Sequence, residues 1–184
     1  MERANKESET RLPSIEVFDS TDCFWDLFWQ CIDKAEDACL VTTYDMDHKL
    51  VAAITLQKMT NACKRGVTSI LIIDDLNYYA SREGVDEFKA AGGIVVRNNL
   101  FSTFTQHVAN GQWRRFFNRN HQKVMLVDRN VFCGSENIAD PYTSDRYGDH
   151  SFRDLSIVLR NQDVKGVRLF FSDILSMNKE QLPA

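Results

Sequence analysis

Residues Asn118–Pro141 read NRNHQKVMLVDRNVFCGSENIADP, two apolar runs on either side of Asp128 and Arg129. The first run follows His121 and Lys123, and the second leads into Gly134, Ser135, Glu136 and Asn137. Apolar runs broken by polar turn residues predict two strands, 121–128 and 130–138, joined by a hairpin turn at VDRNV. Along a strand alternate side chains share a face, so His121 and Lys123 point one way and Gln122 the other. Ser135 and Asn137 follow the same alternation, and Gly134 lets a backbone or ligand approach with no Cβ in the way. Pairing of the two strands would bring His121, Lys123, Ser135 and Asn137 to one spot.

That set is what a phosphoryl group requires. Lysine supplies a cation, serine and asparagine supply neutral donors, and an imidazole can attack phosphorus. Neutral imidazole is already nucleophilic near neutral pH, because its unperturbed pKa is about 6.5. The stretch has no clustered carboxylates of the kind that hold Mg²⁺ or Ca²⁺, so neither a metal nor any other cofactor is expected. Asp128 lies seven residues after His121. That odd offset turns it away from the phosphate face and gives it a structural part at the turn. Asp154, in SFRDLSIVL, opens a neighbouring predicted strand and is the candidate to accept the ring N–H of His121.

Outward from this hairpin the chain alternates. SIEVF (14–18) predicts a strand, and residues 19–37 predict a helix capped by Ser20, Thr21 or Asp22. Phe24, Leu27, Phe28, Cys31, Ile32 and Ala35 make one apolar face at i, i+3, i+4, i+7 spacing. With Trp25 and Trp29 beside it, a membrane-surface helix is the competing reading. The acids on its polar face favour a core helix, since a lipid-binding helix carries Lys and Arg there. A strand at 38–45, a helix at 49–66, a near-continuous apolar strand at 67–75, a helix near 81–91 and a strand at 93–98 follow. These indicate an α/β layered domain with a largely buried sheet. Residues 99–120 show no clean period and have the composition of a site-forming loop. A strand within 152–160 and a helix over 163–175 close the chain.

The chain has 184 residues, 43% hydrophobic and 26% charged, enough for one compact domain with a real core. Residues 1–13 read as a disordered leader with neither signal nor transit character, and 14–184 as the domain. No run reaches the 18 or more apolar residues of a membrane span, so membrane contact is expected to be peripheral and the location intracellular. The five cysteines are scattered without a C-x-x-C pair, which argues against a disulfide framework or zinc site and fits a reducing compartment. A net charge of −4 provides no global field toward nucleic acid.

His121-x-Lys123-x4-Asp128-x5-Gly134-Ser135-x-Asn137 resembles the HKD motif of the phospholipase D superfamily. The segments ACLVTTYDMD, CKRGVTSILIIDD, AAGGIVVRNN, RNHQKVMLVD, GSENIADPY and FRDLSIVLR are similar, in order and spacing, to one catalytic half of a bacterial-type cardiolipin synthase, over about 15–171. The resemblance implies a phospholipase D-like mixed sheet flanked by helices. It implies that His121 forms a phosphohistidine, with Lys123, Asp128 and Asp154 completing the catalytic set and Asp154 orienting the histidine. By the same resemblance, Lys123, Ser135, Asn137 and Gly134 would form the phosphate site. Two departures stand out: five residues separate Asp128 from Gly134 where the family usually has six, and Glu136 is an unusual occupant.

The family uses two such motifs, one histidine attacking and the other serving as acid. His48, His107 and His150 lack the following lysine and glycines, so a second half must come from another copy in a homodimer or from a missing C-terminal half. The leading expectation is a phosphatidyltransferase acting on phospholipid at a membrane surface. The alternatives are a homodimeric single-motif phosphodiesterase or nuclease, which the net charge disfavours, and a non-catalytic half-domain that binds phospholipid or a partner. In GQWRRFFNRNH, Arg114, Arg115 and Arg119 among aromatics are candidate contacts to substrate or membrane.

Overall fold

Seven strands make one sheet in the order β1-β7-β6-β5-β2-β3-β4. They are β1 (Ser14–Phe18), β2 (Ala38–Thr43), β3 (Thr68–Asp74), β4 (Ile94–Asn98), β5 (Val124–Val127), β6 (Asn130–Cys133) and β7 (Ser156–Arg160). Among the described residues, helices α1 (Thr21–Asp33), α2 (Leu50–Lys64), α3 (Arg82–Ala90) and α4 (Lys165–Met177) are distributed among these strands. These elements come from a computed structural model that describes residues 13–98, 108–111, 119–143, 152 and 154–182. The expected leader, except Pro13, and most of the expected site-forming loop lie outside the described residues, as do His107 and His150.

The sheet is mixed, for a reason visible in the connections. Helical crossovers α2 and α3 make β2, β3 and β4 parallel. The two-residue turn Asp128-Arg129 makes β5 and β6 antiparallel, and β7 and β1 continue antiparallel beyond them. β2 joins the two halves, parallel to β3 on one side and antiparallel to β5 on the other.

Alternation along the strands separates two cores. Cys39, Val41, Leu71, Ile73, Val127, Phe132 and Val158 meet α1, α2 and α3 on one face. Leu40, Ile70, Ile72, Val96, Leu126 and Val131 meet Phe171 and Ile174 of α4 on the other. Both faces of the central strands are therefore covered, which is why they read as continuous apolar runs. Trp25 is fully buried and Trp29 is 5% exposed, so α1 is a core helix, not a membrane-surface one. Trp29 Nε1 donates to Thr55 Oγ1 on α2 at 3.0 Å, and Trp25 Nε1 to the Tyr142 carbonyl at 3.0 Å. Ser20 is the α1 cap, its hydroxyl accepting from Cys23 N. Among the described residues no helix is long and apolar enough to cross a membrane.

The predicted strands are trimmed at the ends that carry polar side chains. His121, Gln122 and Lys123 form an extended lead-in to β5, and Gly134–Asn137 leave β6 after Cys133. Strict strand alternation therefore does not govern either segment, and convergence comes from register.

Candidate active site

Thr42 pairs with Val124, Val124 with Cys133, and Cys133 with Ile157. One step beyond this row, four chain segments emerge at the same end of the sheet: Thr43–Asp45, His121–Lys123, Gly134–Ser135 and Asp154–Leu155. This is the carboxyl end of β2, the strand at which the sheet changes from parallel to antiparallel. The shortened Asp128-to-Gly134 spacing does not upset the arrangement. The two-residue turn, with Asp128 at φ 52°, absorbs it and leaves β5 and β6 in unbroken register.

Lys123 Nζ lies 3.3 Å from Nδ1 and 3.4 Å from Nε2 of the His121 ring. The ammonium thus stands about equally close to both ring nitrogens. It also donates to the His121 carbonyl at 3.3 Å. His121 is exposed while Lys123 is 7% exposed. Burial pushes the lysine below its usual pKa, and Asp154 and Asp45 pull it back up. The Tyr44 ring packs against the imidazole, centroids 4.7 Å apart and planes at 53°, with Lys123 Nζ 5.7 Å from its centroid. Asp45 is itself pushed up by burial and by Asp47.

Tyr44 and Asp45 were not among the sequence candidates. They look like the end of a strand, and the available signal was their position where an apolar strand turns polar at its carboxyl end.

Ser135 Oγ donates to Asp154 Oδ1 at 2.6 Å. Asp154 is thus brought to the site but holds Ser135, not the His121 ring, because its lead-in to β7 runs beside Gly134 rather than beside β5. Asn137 is 3% exposed, and its Oδ1 accepts from Asp45 N at 3.2 Å, tying the exit from β6 to the end of β2. A Cβ on Gly134 would strike Glu136 Oε2 and Ser156 Oγ. Side chains of this domain, not a ligand, therefore demand the glycine.

Two expected members lie elsewhere. Asp128 is at the far end of β5, where its carboxylate accepts from Glu36 N (3.2 Å), Asp37 N (2.9 Å) and Ala38 N (3.1 Å). It belongs to the motif by sequence and to the α1–β2 connection by structure, because β5 carries it away from His121. Arg119 pairs with the fully buried Asp74 at 3.3 Å, and Asn120 N donates to the same carboxylate at 3.2 Å. Asn120 Nδ2 also donates to Thr42 Oγ1 at 3.2 Å. Arg119 anchors the approach to His121 against β2 and β3 rather than facing outward. Arg114 and Arg115 lie outside the described residues. Among the described residues no three His, Cys, Asp or Glu side chains gather as metal ligands would.

Residues 28–151 match the family model described as cardiolipin synthase, phospholipase D-like domain. Cardiolipin synthases of two Clostridium perfringens strains, SM101 and 13, are 29% identical over 126 residues, 68% of this chain. The match spans about 25% of the length of those relatives. The fold is shared with solved structures of low identity. A phospholipase D family member, Nuc from Salmonella typhimurium, matches with TM-score 0.61 and 18% identity over 92% of this chain and 96% of its own. NucT from Helicobacter pylori matches with TM-score 0.61 and 12% identity over 90% and 96%. Phosphatidylserine synthase from Haemophilus influenzae matches with TM-score 0.65 and 13% identity over 89% and 38%.

Proposed function

Because the chain belongs to the phospholipase D-like domain family described for cardiolipin synthase, we propose that it is one catalytic half of a cardiolipin synthase-type phosphatidyltransferase. Its substrate is a phospholipid phosphodiester presented at a membrane surface, with a phosphatidylglycerol-type donor and acceptor. The observation that carries this reading is the Lys123 ammonium held 3.3–3.4 Å from both ring nitrogens of an exposed histidine.

In the first step a nitrogen of neutral His121 bonds to phosphorus while the P–O bond to the first alcohol breaks. The departing oxygen takes a proton from an acid, the histidine of a second motif. The acceptor hydroxyl then loses its proton to that same base, bonds to phosphorus and displaces the imidazole, restoring His121. Lys123 offsets the charge on the phosphoryl oxygens, and Ser135 supplies a neutral donor when its hydroxyl turns from Asp154. With its carbonyl held by Asp45 N, Asn137 offers its amide N–H₂ as a further donor. The second motif comes from another copy of the chain or from sequence beyond it.

The test is phosphatidylglycerol turnover on mixed micelles by the full chain, wild type beside His121→Ala, with trapping of an acid-labile, base-stable phosphoenzyme. Loss of both turnover and phosphoenzyme in the variant is expected. Turnover that survives the substitution would defeat the reading.

A second reading, a single-motif phosphodiesterase or nuclease built from two copies, draws support from extent. The Nuc and NucT folds are matched over 96% of their own chains. Salt distinguishes the readings: nucleic-acid affinity falls steeply with ionic strength, whereas micellar lipid turnover follows the lipid surface.

A further inference from the structure

Three buried side-chain oxygens near Ser135 each lack a hydrogen bond of good geometry: Glu136 Oε2, Asp154 Oδ2 and Ser156 Oγ. The same added methyl on Gly134 would strike both Glu136 Oε2 and Ser156 Oγ, so these two atoms are near neighbours. Glu136 is 2% exposed and Ser156 1%. A buried Glu136 near the half-buried Asp154 leaves acceptors with too few protons, and an ionised carboxylate buried in that setting is costly unless it becomes neutral. A single added proton resolves the count, because a neutral Glu136 gives the trio a second donor besides the Ser156 hydroxyl.

Ser135 has the complementary difficulty. It has one hydroxyl proton, now directed at Asp154 Oδ1, and cannot also give it to a phosphoryl oxygen. A donor from behind lets Asp154 keep a partner while Ser135 turns outward.

We propose that Glu136 is a positioning residue of the phosphate site: as a neutral acid it supports Asp154 and Ser156 from behind so that Ser135 can donate to a phosphodiester, and on ionising it repels that anion. This rests on the phosphodiester reading above. Burial pushes the Glu136 carboxyl above its ordinary range and Asp154 adds to the push, while the Ser156 hydroxyl and nearby backbone N–H groups act in the opposite sense. Asp154, on the lead-in to β7, is the charged group that acts on it, and Lys123, His121, Asp45 and Tyr44 stand at the same end of the sheet. Every other ionisable group is common to wild type and Glu136→Gln, so a ratio of the two proteins isolates Glu136.

The experiment measures binding of diethyl phosphate, a monoanion throughout the range, to the full chain and to Glu136→Gln between about pH 5 and about pH 9, with the Glu136 carboxyl followed by ¹³C NMR. The midpoint is expected above the ordinary 4.5, and the affinity of wild type relative to Glu136→Gln is expected to fall about tenfold across that titration. A midpoint at or below 4.5, or a ratio that does not change with pH, overturns the role of Glu136 alone. If neither protein binds the diester at any pH, the phosphodiester reading fails and this inference with it.

Discussion

Individual side chains divide between chemistry and scaffolding in ways that substitutions separate. Asp128 carries three backbone N–H groups of the α1–β2 connection and touches nothing at the His121 end. Asp128→Ala is expected to destabilise the fold by about 3 kcal/mol in urea unfolding, since several hydrogen bonds to a charged acceptor vanish together. Binding of a phosphodiester per folded molecule should be unaltered, and a selective loss of binding at full stability would return Asp128 to the site. Glu136 has a linkage signature of its own. Its folded pKa is raised, so from its ordinary 4.5 upward the folded chain retains a proton that the unfolded chain releases, and stability falls as pH rises through that window. Glu136→Gln is therefore expected to raise the urea midpoint at pH 7, by an amount that shrinks to nothing below about pH 4. A variant less stable than wild type at both pH values would contradict this. Tyr44 meets the imidazole through its ring. Tyr44→Phe should retain turnover, while Tyr44→Ala lowers kcat about tenfold by loosening His121, a pattern that kcat and KM for the two variants would check.

The elements show how much could be read beforehand. α1 gave itself away through its apolar spacing and its acidic outer face, and Phe28, fully buried against Phe132 at 5.2 Å between centroids, is its pivot. Phe28→Ala is expected to lower stability by about 3–5 kcal/mol, measurable as a shift in urea midpoint, because the cavity opens between α1 and β6 where neither can close on it. The parallel strands were equally legible, since a sheet covered on both faces needs continuous apolar runs. What could not be read was where the strands stop. HQK and GSEN looked like strand continuations by alternation, yet polar side chains there leave the ladder, and the convergence of His121, Lys123, Ser135 and Asp154 follows from the row Thr42-Val124-Cys133-Ile157. Register across four strands is a long-range property that no local pattern encodes. The same limit explains Tyr44, whose contact with His121 depends on β2 lying antiparallel to β5. It also explains Arg119, whose buried partner Asp74 lies 45 positions away.

Taken as one body, the chain holds Asp45, Asp154 and its one motif lysine at a single end of the sheet, and a two-step transfer needs the histidine of a second motif. Supply by a second copy makes a quantitative prediction about mixtures. If each site draws one His121 from each of two copies, an equal mixture of wild type and His121→Ala, unfolded and refolded together, forms only about a quarter of its pairs with two histidines. Turnover per total chain should then be about a quarter of that of wild type alone, not the half expected when each chain acts for itself. The His121→Ala chain must refold to the same urea midpoint for the mixing to be random, which its exposed side chain favours. A linear decline with the wild-type fraction would mean that a single copy suffices, or that the second motif is joined covalently in a longer chain. A decline with the square of that fraction would assign both histidines to two identical chains, and the native mass of the active species should then be twice 21.2 kDa.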